Sequence, residues 1–476
     1  MKPLGLMAIS LGSCLGLYLV FHYLRYFSDM TFLGGFLLLE VIIMSLWKYD
    51  QRFFMLLVIV FLWAGMHVPM QFAWTTPRWI ILSAGATVGF VIWTRTPRRP
   101  FGPIHLIAFF CIGAAFVSAT VSSFVQMATL KALSLLLLFL YCSTGGRLAV
   151  IRHENSFFRG LLLAAEITVY ITAFCYFGLG AAIWGNPNSI GAAMSVGVFP
   201  VLLWGWLIAD GSGIRLRRLV ALFLCSYLCL FSAARAGMAA IVIVTLTLSF
   251  CLRQYRLLFN AVAITLLLVA LTGVLAPENL NQHLVNFRDT VLYKGHKDEG
   301  ILGSRRTPWD TTVASIKEHP LFGTGYGTSP TGEDPGTDFG VVRSSAETSR
   351  EHGSSYMMIA EWVGLLGVLP FVALLVLTVA NVWRVCVWMR RTGNPRHYSV
   401  PVAMIVLAGL LHAGFEDWLL AVGYYLSVYF WFFAFLLADL LPQTEESSLG
   451  KPVRRISSLT RAGFDPAISN PAVSNR

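Results

Sequence analysis

The stretch LVALFLCSYLCLFSAARAGMAAIVIVTLTLSFCL, residues 219–252, contains a single charged side chain, Arg235. Each apolar block beside that arginine approaches the ~20 residues that cross the hydrocarbon layer of a bilayer. Similar blocks, free of charge, run through 4–23, 54–77, 100–130, 167–209 and 257–277. The whole chain of 476 residues is 56% hydrophobic and 12% charged. A soluble globular domain carries about 25% charged residues, so there is too little charge here to coat a soluble core of this size. The pattern predicts an all-α polytopic membrane protein with about 12–14 transmembrane helices. The spans are expected near 4–23, 31–48, 53–73, 78–95, 102–122, 126–144, 158–180, 188–208, 217–233, 236–253, 256–275, 354–382, 400–418 and 420–441. The pair at 217–253 is short, and either member could be a half-span. The first block is longer than a signal-peptide core and more spans follow it, so it reads as an uncleaved first span.

A net charge of +11 could suggest nucleic acid. Basic residues in membrane proteins instead mark cytoplasmic loops. With the N-terminus inside, the inner segments hold Arg95, Arg98, Arg99, Arg147, Arg152, Arg159, Arg215, Arg217, Arg218, Arg384, Arg390 and Arg391, among others. The short outer loops hold only Arg25, Arg78 and Arg235. Both termini are therefore expected in the cytoplasm, and the long polar segment 276–353 outside it. No nucleic-acid partner is expected. The tail, 442–476, is Ser-, Pro- and Arg-rich and reads as disordered. The chain divides into N-terminal helices, 1–180, a helical region with the large loop, 181–441, and that tail. The eight cysteines lie in or beside apolar blocks, which argues against disulfides or a zinc site. Cys225 and Cys229 share a helix face and are expected to line a helix contact.

Several polar residues could carry chemistry. Arg235 is flanked by Ser232, Ala233, Ala234, Ala236 and Gly237. It is expected in a tight turn at the outer end of two helices, where small neighbours leave room for a polyanion. An arginine snorkelling to headgroups is the other reading. In GSRRTPW, residues 303–309, Arg305 and Arg306 open an amphipathic helix that runs through Trp309–His319 and stops before Pro320. Paired guanidinium groups there match phosphate geometry, or form a solvated pair. His352 stands where the loop re-enters the membrane; it could be a general base or a structural histidine. Glu361, further along the same helix, could orient a base or pair with an arginine. Asn186 and Asn188 could cap a helix or bind sugar hydroxyls. His412 and Glu416, one turn apart, do not make a metal site, and no metal or cofactor is expected. Lys131, Glu40 and Glu166 are charges in or near spans that need partners. The glycines of GTGYG, 323–327, are expected to let the loop fold tightly, not to bind a dinucleotide.

These residues add up to a pattern that resembles the O-antigen ligase and polymerase superfamily of bacterial inner-membrane proteins. The likeness is carried by GNPNSIGAAM at 185–194, SAARAGMAA at 232–240, SRRTPWDTTVASIKEHPLFGTGYG at 304–327 and HGSSYMMIAEWVGLLGVLPF at 352–371. It implies an architecture related to lipid-dependent, GT-C-like membrane glycosyltransferases. It also implies an undecaprenyl-diphosphate-linked glycan as donor and a glycan or glycolipid as acceptor, with transfer at the outer face of the cytoplasmic membrane. By the resemblance, Arg235 and Arg305 would bind the donor diphosphate, with Arg306 as a substitute. Arg305 has the family's spacing to Trp309, and His352 would activate the acceptor hydroxyl. The family's histidine is often followed by asparagine, whereas Gly353 follows here. Fourteen spans exceed the usual dozen of the ligases. A transporter is the competing reading: it predicts charges near the bilayer midplane and broken helices in repeated halves. No internal repeat is visible.

Overall fold

The computed structural model describes residues 53–66, 77–95, 101–181, 183–184, 186–256, 258–259, 303–329 and 350–442. The expected spans at 4–23 and 31–48, nearly all of 256–275, loop segments 276–302 and 330–349 and almost all of the tail lie outside these residues.

Among the described residues the regular elements are all helical. In order they are α1 (Phe53–Gly65), α2 (Pro77–Arg95), α3 (Pro103–Ala119), α4 (Val125–Tyr141), α5 (Glu154–Ala173), α6 (Pro187–Leu207), α7 (Ser212–Phe231), α8 (Arg235–Cys251), α9 (Gly303–Glu318), α10 (Ser355–Thr392), α11 (Ser399–Ala413) and α12 (Tyr425–Asp439). Short helices follow α4, and π-type turns interrupt α6 at Ala193–Val198 and end α5 at Phe174–Gly178. Among the described residues four helices are long and apolar enough to cross a membrane: Val125–Arg152, Glu154–Gly178, Pro187–Leu207 and Ser355–Thr392. Every expected span within the described residues overlaps one of these helices or a shorter one.

The centre of the bundle is α12. Its residues Tyr425 through Leu437 are all buried, as an apolar helix must be when neighbours enclose it on every side. Phe54 of α1 stacks on Phe432, and Phe139 of α4 meets Trp431 edge-on. At the periphery the pattern inverts. On α10, Leu365, Leu369, Val372, Val376, Val379 and Trp383 are exposed at steps of four and three residues. That spacing draws one apolar stripe along a helix face, the surface a lipid tail covers.

The pair at 217–253 forms two helices, neither of them among the four long and apolar enough to cross a membrane. Helices α7 and α8 have 20 and 17 residues, or about 30 and 25 Å of helix. A tight turn at Ser232–Ala234 joins them, with Ala233 in left-handed backbone. Cys225 and Cys229 are buried against α6, with their thiols toward the carbonyls of Met194 and Gly191. The small residues around Arg235 serve packing as well: a Cβ on Gly191 would collide with Ala234, and one on Gly237 would lie 3.0 Å from the carbonyl of Gly191. Ser232, Ala234 and Gly237 are used for close helix approach, while Ala233 and Ala236 stay partly exposed beside Arg235.

Helix α10 is broken at Gly364, whose φ of 64° and ψ of −176° no helix interior allows. The break frees backbone groups, and the segment after α9 takes them up. The amides of Leu365 and Leu366 donate to the carbonyls of Pro320 and Leu321. In return, the amides of Thr324 and Gly325 donate to Glu361 and Trp362. Glycine is required at 323 because any Cβ would collide with the Glu361 carbonyl. The segment is anchored further by Tyr326, whose hydroxyl donates to Leu420, and by Lys131, whose ammonium donates to the Gly327 carbonyl. The tight folding expected of GTGYG is therefore seen, and it is folded into the gap in a helix.

Candidate active site

One end of the bundle gathers the residues singled out in the sequence. Arg235 is the first residue of α8, and Arg305 lies in the first turn of α9. Helix N-termini present unpaired N–H groups and a positive dipole end, so both guanidinium groups stand where an anion is already favoured. The Arg235 guanidinium donates to Ser304 Oγ at 2.7 Å, which ties α8 to the residue before Arg305. Arg305 is buried and bonded to two carboxylates, Glu351 and Glu416. Glu416 also accepts from the Asn188 amide at 3.4 Å, so Asn188 joins the same cluster. Asn186 caps α6, its side chain accepting from the Asn188 amide at 2.8 Å.

His352 lies just before α10 and is completely buried. Its backbone N–H donates to Asp417 Oδ2 at 2.8 Å, and its Nδ1 lies 3.4 Å from the same oxygen. Its Nε2 is 2.9 Å from Ser329 Oγ and 3.6 Å from Glu361 Oε2. With Nδ1–H directed at Asp417, Nε2 is left to accept from the Ser329 hydroxyl. That hydroxyl accepts in turn from Trp362 Nε1 at 3.3 Å. Burial alone would lower the His352 pKa, but the hydrogen bonds and charges of Asp417 and Glu361 outweigh it. The imidazole pKa is raised above its ordinary 6.5. Burial alone would likewise raise the Asp417 pKa, but its bonds to His352 hold the carboxyl below the usual value.

Glu361 is wholly buried and paired with Arg350, whose other amine donates to Thr312 at 3.0 Å. Glu361 thus pairs with an arginine, one of the two roles considered for it, and lies 3.6 Å from the imidazole. Gly353 has a φ of 68°, and a Cβ there would lie 3.2 Å from both Arg305 Cδ and Trp309 Nε1. Glycine in left-handed backbone lets the histidine turn pack beside Arg305 and Trp309. Asparagine is the other residue that tolerates this conformation.

Arg235, Arg305, Trp309, Asn188, His352 and Glu361 are brought together, whereas Arg306 is exposed on α9. Sequence reasoning missed Glu351, Arg350, Ser329, Glu416 and Asp417. Glu416 was considered only with His412, which instead accepts from Trp418 Nε1 at 2.9 Å. An available signal was the rarity of the acidic pair Glu416–Asp417 between two apolar helices. Elsewhere Glu166 pairs with Arg217 and Arg218 near the opposite end of the bundle.

Residues 220–372 match the family model described as O-antigen ligase, which supports the O-antigen ligase/polymerase superfamily. The matched segment contains Arg235, Arg305, Trp309, Arg350, His352 and Glu361; Asn188, Glu416 and Asp417 lie outside it. No curated protein matches the chain.

Proposed function

We propose that this protein is a membrane glycosyltransferase that moves an undecaprenyl-diphosphate-linked glycan to an acceptor hydroxyl on the outer face of the bacterial cytoplasmic membrane. The acceptor is lipid A core if it acts as a ligase, or a growing polysaccharide if it acts as a polymerase. The observation that carries this reading is the meeting of two helix-terminal arginines, Arg235 and Arg305, with the buried histidine 352. A leaving diphosphate gathers negative charge, and fixed guanidinium groups beside helix N-termini stabilise it without reorganising. Glu351 and Glu416 hold Arg305 through the carboxylate geometry that a phosphate shares, so the diphosphate would exchange for them. His352, raised in basicity by Asp417, is the group that takes the acceptor proton. The donor and acceptor need only alignment and a base.

The orientation follows from charge. Arg147, Arg152, Arg218, Arg390 and Arg396 lie toward the end of the bundle opposite Arg305, as contacts such as Arg147 with Asp439 and Arg218 with the Gly205 carbonyl require. The positive-inside rule favours that end on the cytoplasmic side and the site on the outer side.

Among the described residues, the break in α10 is a feature that favours a transporter. Its freed backbone groups are occupied by residues 320–325, so the break anchors a loop and does not line an ion path. The test is complementation of a deletion strain with wild type, Arg305→Ala or His352→Ala, separating envelope glycolipids from free polysaccharide on gels. Folded variants that lose transfer sustain the enzyme. Loss of capped lipid A core marks a ligase, and single-unit glycans mark a polymerase. Full transfer by both variants overturns the site.

A further inference from the structure

The His352 side chain is only 1% exposed, so an acceptor has almost none of its ring to touch directly. Its Nε2 ends on Ser329 Oγ at 2.9 Å. Ser329 in turn lines a crevice with Val121, Ser123, Phe124, His319, Thr324 and Thr328. We infer that this crevice is the docking site for the acceptor's sugar hydroxyl, and that Ser329 relays the acceptor proton to His352. The inference rests on the base role proposed above for His352 and adds the path by which the base is reached.

The lining suits a sugar. Hydroxyls of Ser123, Thr324, Thr328 and Ser329 and the imidazole of His319 can exchange hydrogen bonds with an alcohol, while Val121 and Phe124 offer an apolar wall for a ring face. Ser123 and His319 are exposed, whereas Thr328 and Ser329 are buried at the inner end. The wall is rigid where it must be. Residues 324–327 are bonded to α10, to Lys131 and to Leu420, and Thr328 Oγ1 shares a 2.6 Å hydrogen bond with Ser122. Ser329 itself accepts from Trp362 Nε1, which directs its own proton away from the indole and toward the imidazole.

The step balances. The acceptor oxygen forms a bond to the anomeric carbon of the donor glycan as the bond from that carbon to the diphosphate oxygen breaks. The bonding pair leaves with the diphosphate. The acceptor proton passes to Ser329 Oγ while the Ser329 proton passes to His352 Nε2. The site gains one positive charge on the imidazole and one negative charge on the leaving group, which faces Arg235 and Arg305.

The test compares Ser329→Thr with Ser329→Val in the full-length protein, reconstituted with a polyprenyl-diphosphate glycan and an acceptor. The two side chains share a shape and differ in the hydroxyl. The threonine variant should exceed the valine variant in kcat by about 100-fold, the lower range for general acid–base transfer, with equal KM for the donor. Equal kcat in the two variants overturns the relay. Should both fail to fold, Ser123→Phe, at an exposed position in the crevice, decides. It should raise KM for the acceptor about tenfold or more and leave KM for the donor unchanged; an unchanged acceptor KM overturns the docking site. His352→Gln run in parallel separates the two ideas. If it retains full transfer, the base role itself falls. If it is inactive while the Ser329 variants are equal, only the relay falls.

Discussion

Two of the buried arginine–carboxylate systems among the described residues, one toward each end of the bundle, are built differently. At the basic end, Arg147 directs one amine to both oxygens of Asp439, at 3.1 and 3.2 Å, with 1% and 13% of the two side chains exposed. Phe101 lies under the guanidinium, 5.7 Å from its carbon. At the other end Arg305 is 9% exposed, but its partner Glu351 is 61% exposed and Glu416 is 20% exposed. A closed pair fixes packing and has no use for a ligand. A pair whose carboxylates reach the surface can exchange them for another anion without unpacking the arginine. The same residue types therefore do structural work in one place and present a binding surface in the other, and exposure of the carboxylate makes the difference.

Substitutions can break that comparison. The largest effect on transfer is expected at His352. His352→Gln should lower turnover by roughly 10²–10⁴-fold, the range of a general base, in an assay with purified donor and acceptor. Next comes Arg305→Ala, which should cost about 10²–10³-fold in kcat/KM for the donor, as loss of one preorganised donor to developing negative charge does. Arg305→Lys should recover only part of this, because an ammonium cannot make the forked contact. Arg147→Met should do the reverse. Removing this buried partner of Asp439 is expected to lower stability, seen as earlier unfolding in detergent, while the transfer rate per folded molecule is kept. If Arg147→Met instead abolished transfer in folded protein, the division of labour between the two ends would be wrong.

A smaller effect sharpens the site end. Transfer needs the neutral form of His352, so the rate should rise with pH through its raised pKa, and the acid limb should lie above 6.5. Asp417→Asn removes the interaction that favours the imidazolium, so that limb should move to lower pH in a pH–rate profile. The folding contribution has the opposite sense. A raised histidine pKa stabilises the folded state below the ordinary value and loses that contribution as pH climbs through the folded-state value. Arg306→Ala is the smallest change: an exposed arginine should alter transfer by less than about threefold, within the range of surface substitutions.

Much of this molecule was legible in its sequence. Apolar block length alone forces membrane-length helices, because a chain in lipid must satisfy its backbone internally. The described helices follow the blocks to within a few residues at most ends, although α7 begins earlier than its apolar run. Arg215 lies in that extension and donates to the Ala209 carbonyl, and Arg218 a turn later donates to that of Gly205, so a basic turn is drawn into the helix. Arg235, Arg305, His352 and Glu361 were visible as polar residues in an apolar or loop setting, where a charge needs a reason. What the sequence could not supply was partnership. Glu351 and Glu416 stand 46 and 111 residues from Arg305, and Ser329 stands 23 from His352. Nor does any local pattern announce that residues 320–325 fill the break at Gly364. Burial, side-chain type and helical period are properties of a stretch of chain, and the sequence determines them directly. Which carboxylate closes on which arginine, and which hydroxyl stands between a buried imidazole and a crevice, depends on distances between segments far apart along the chain, and only their packing sets those distances.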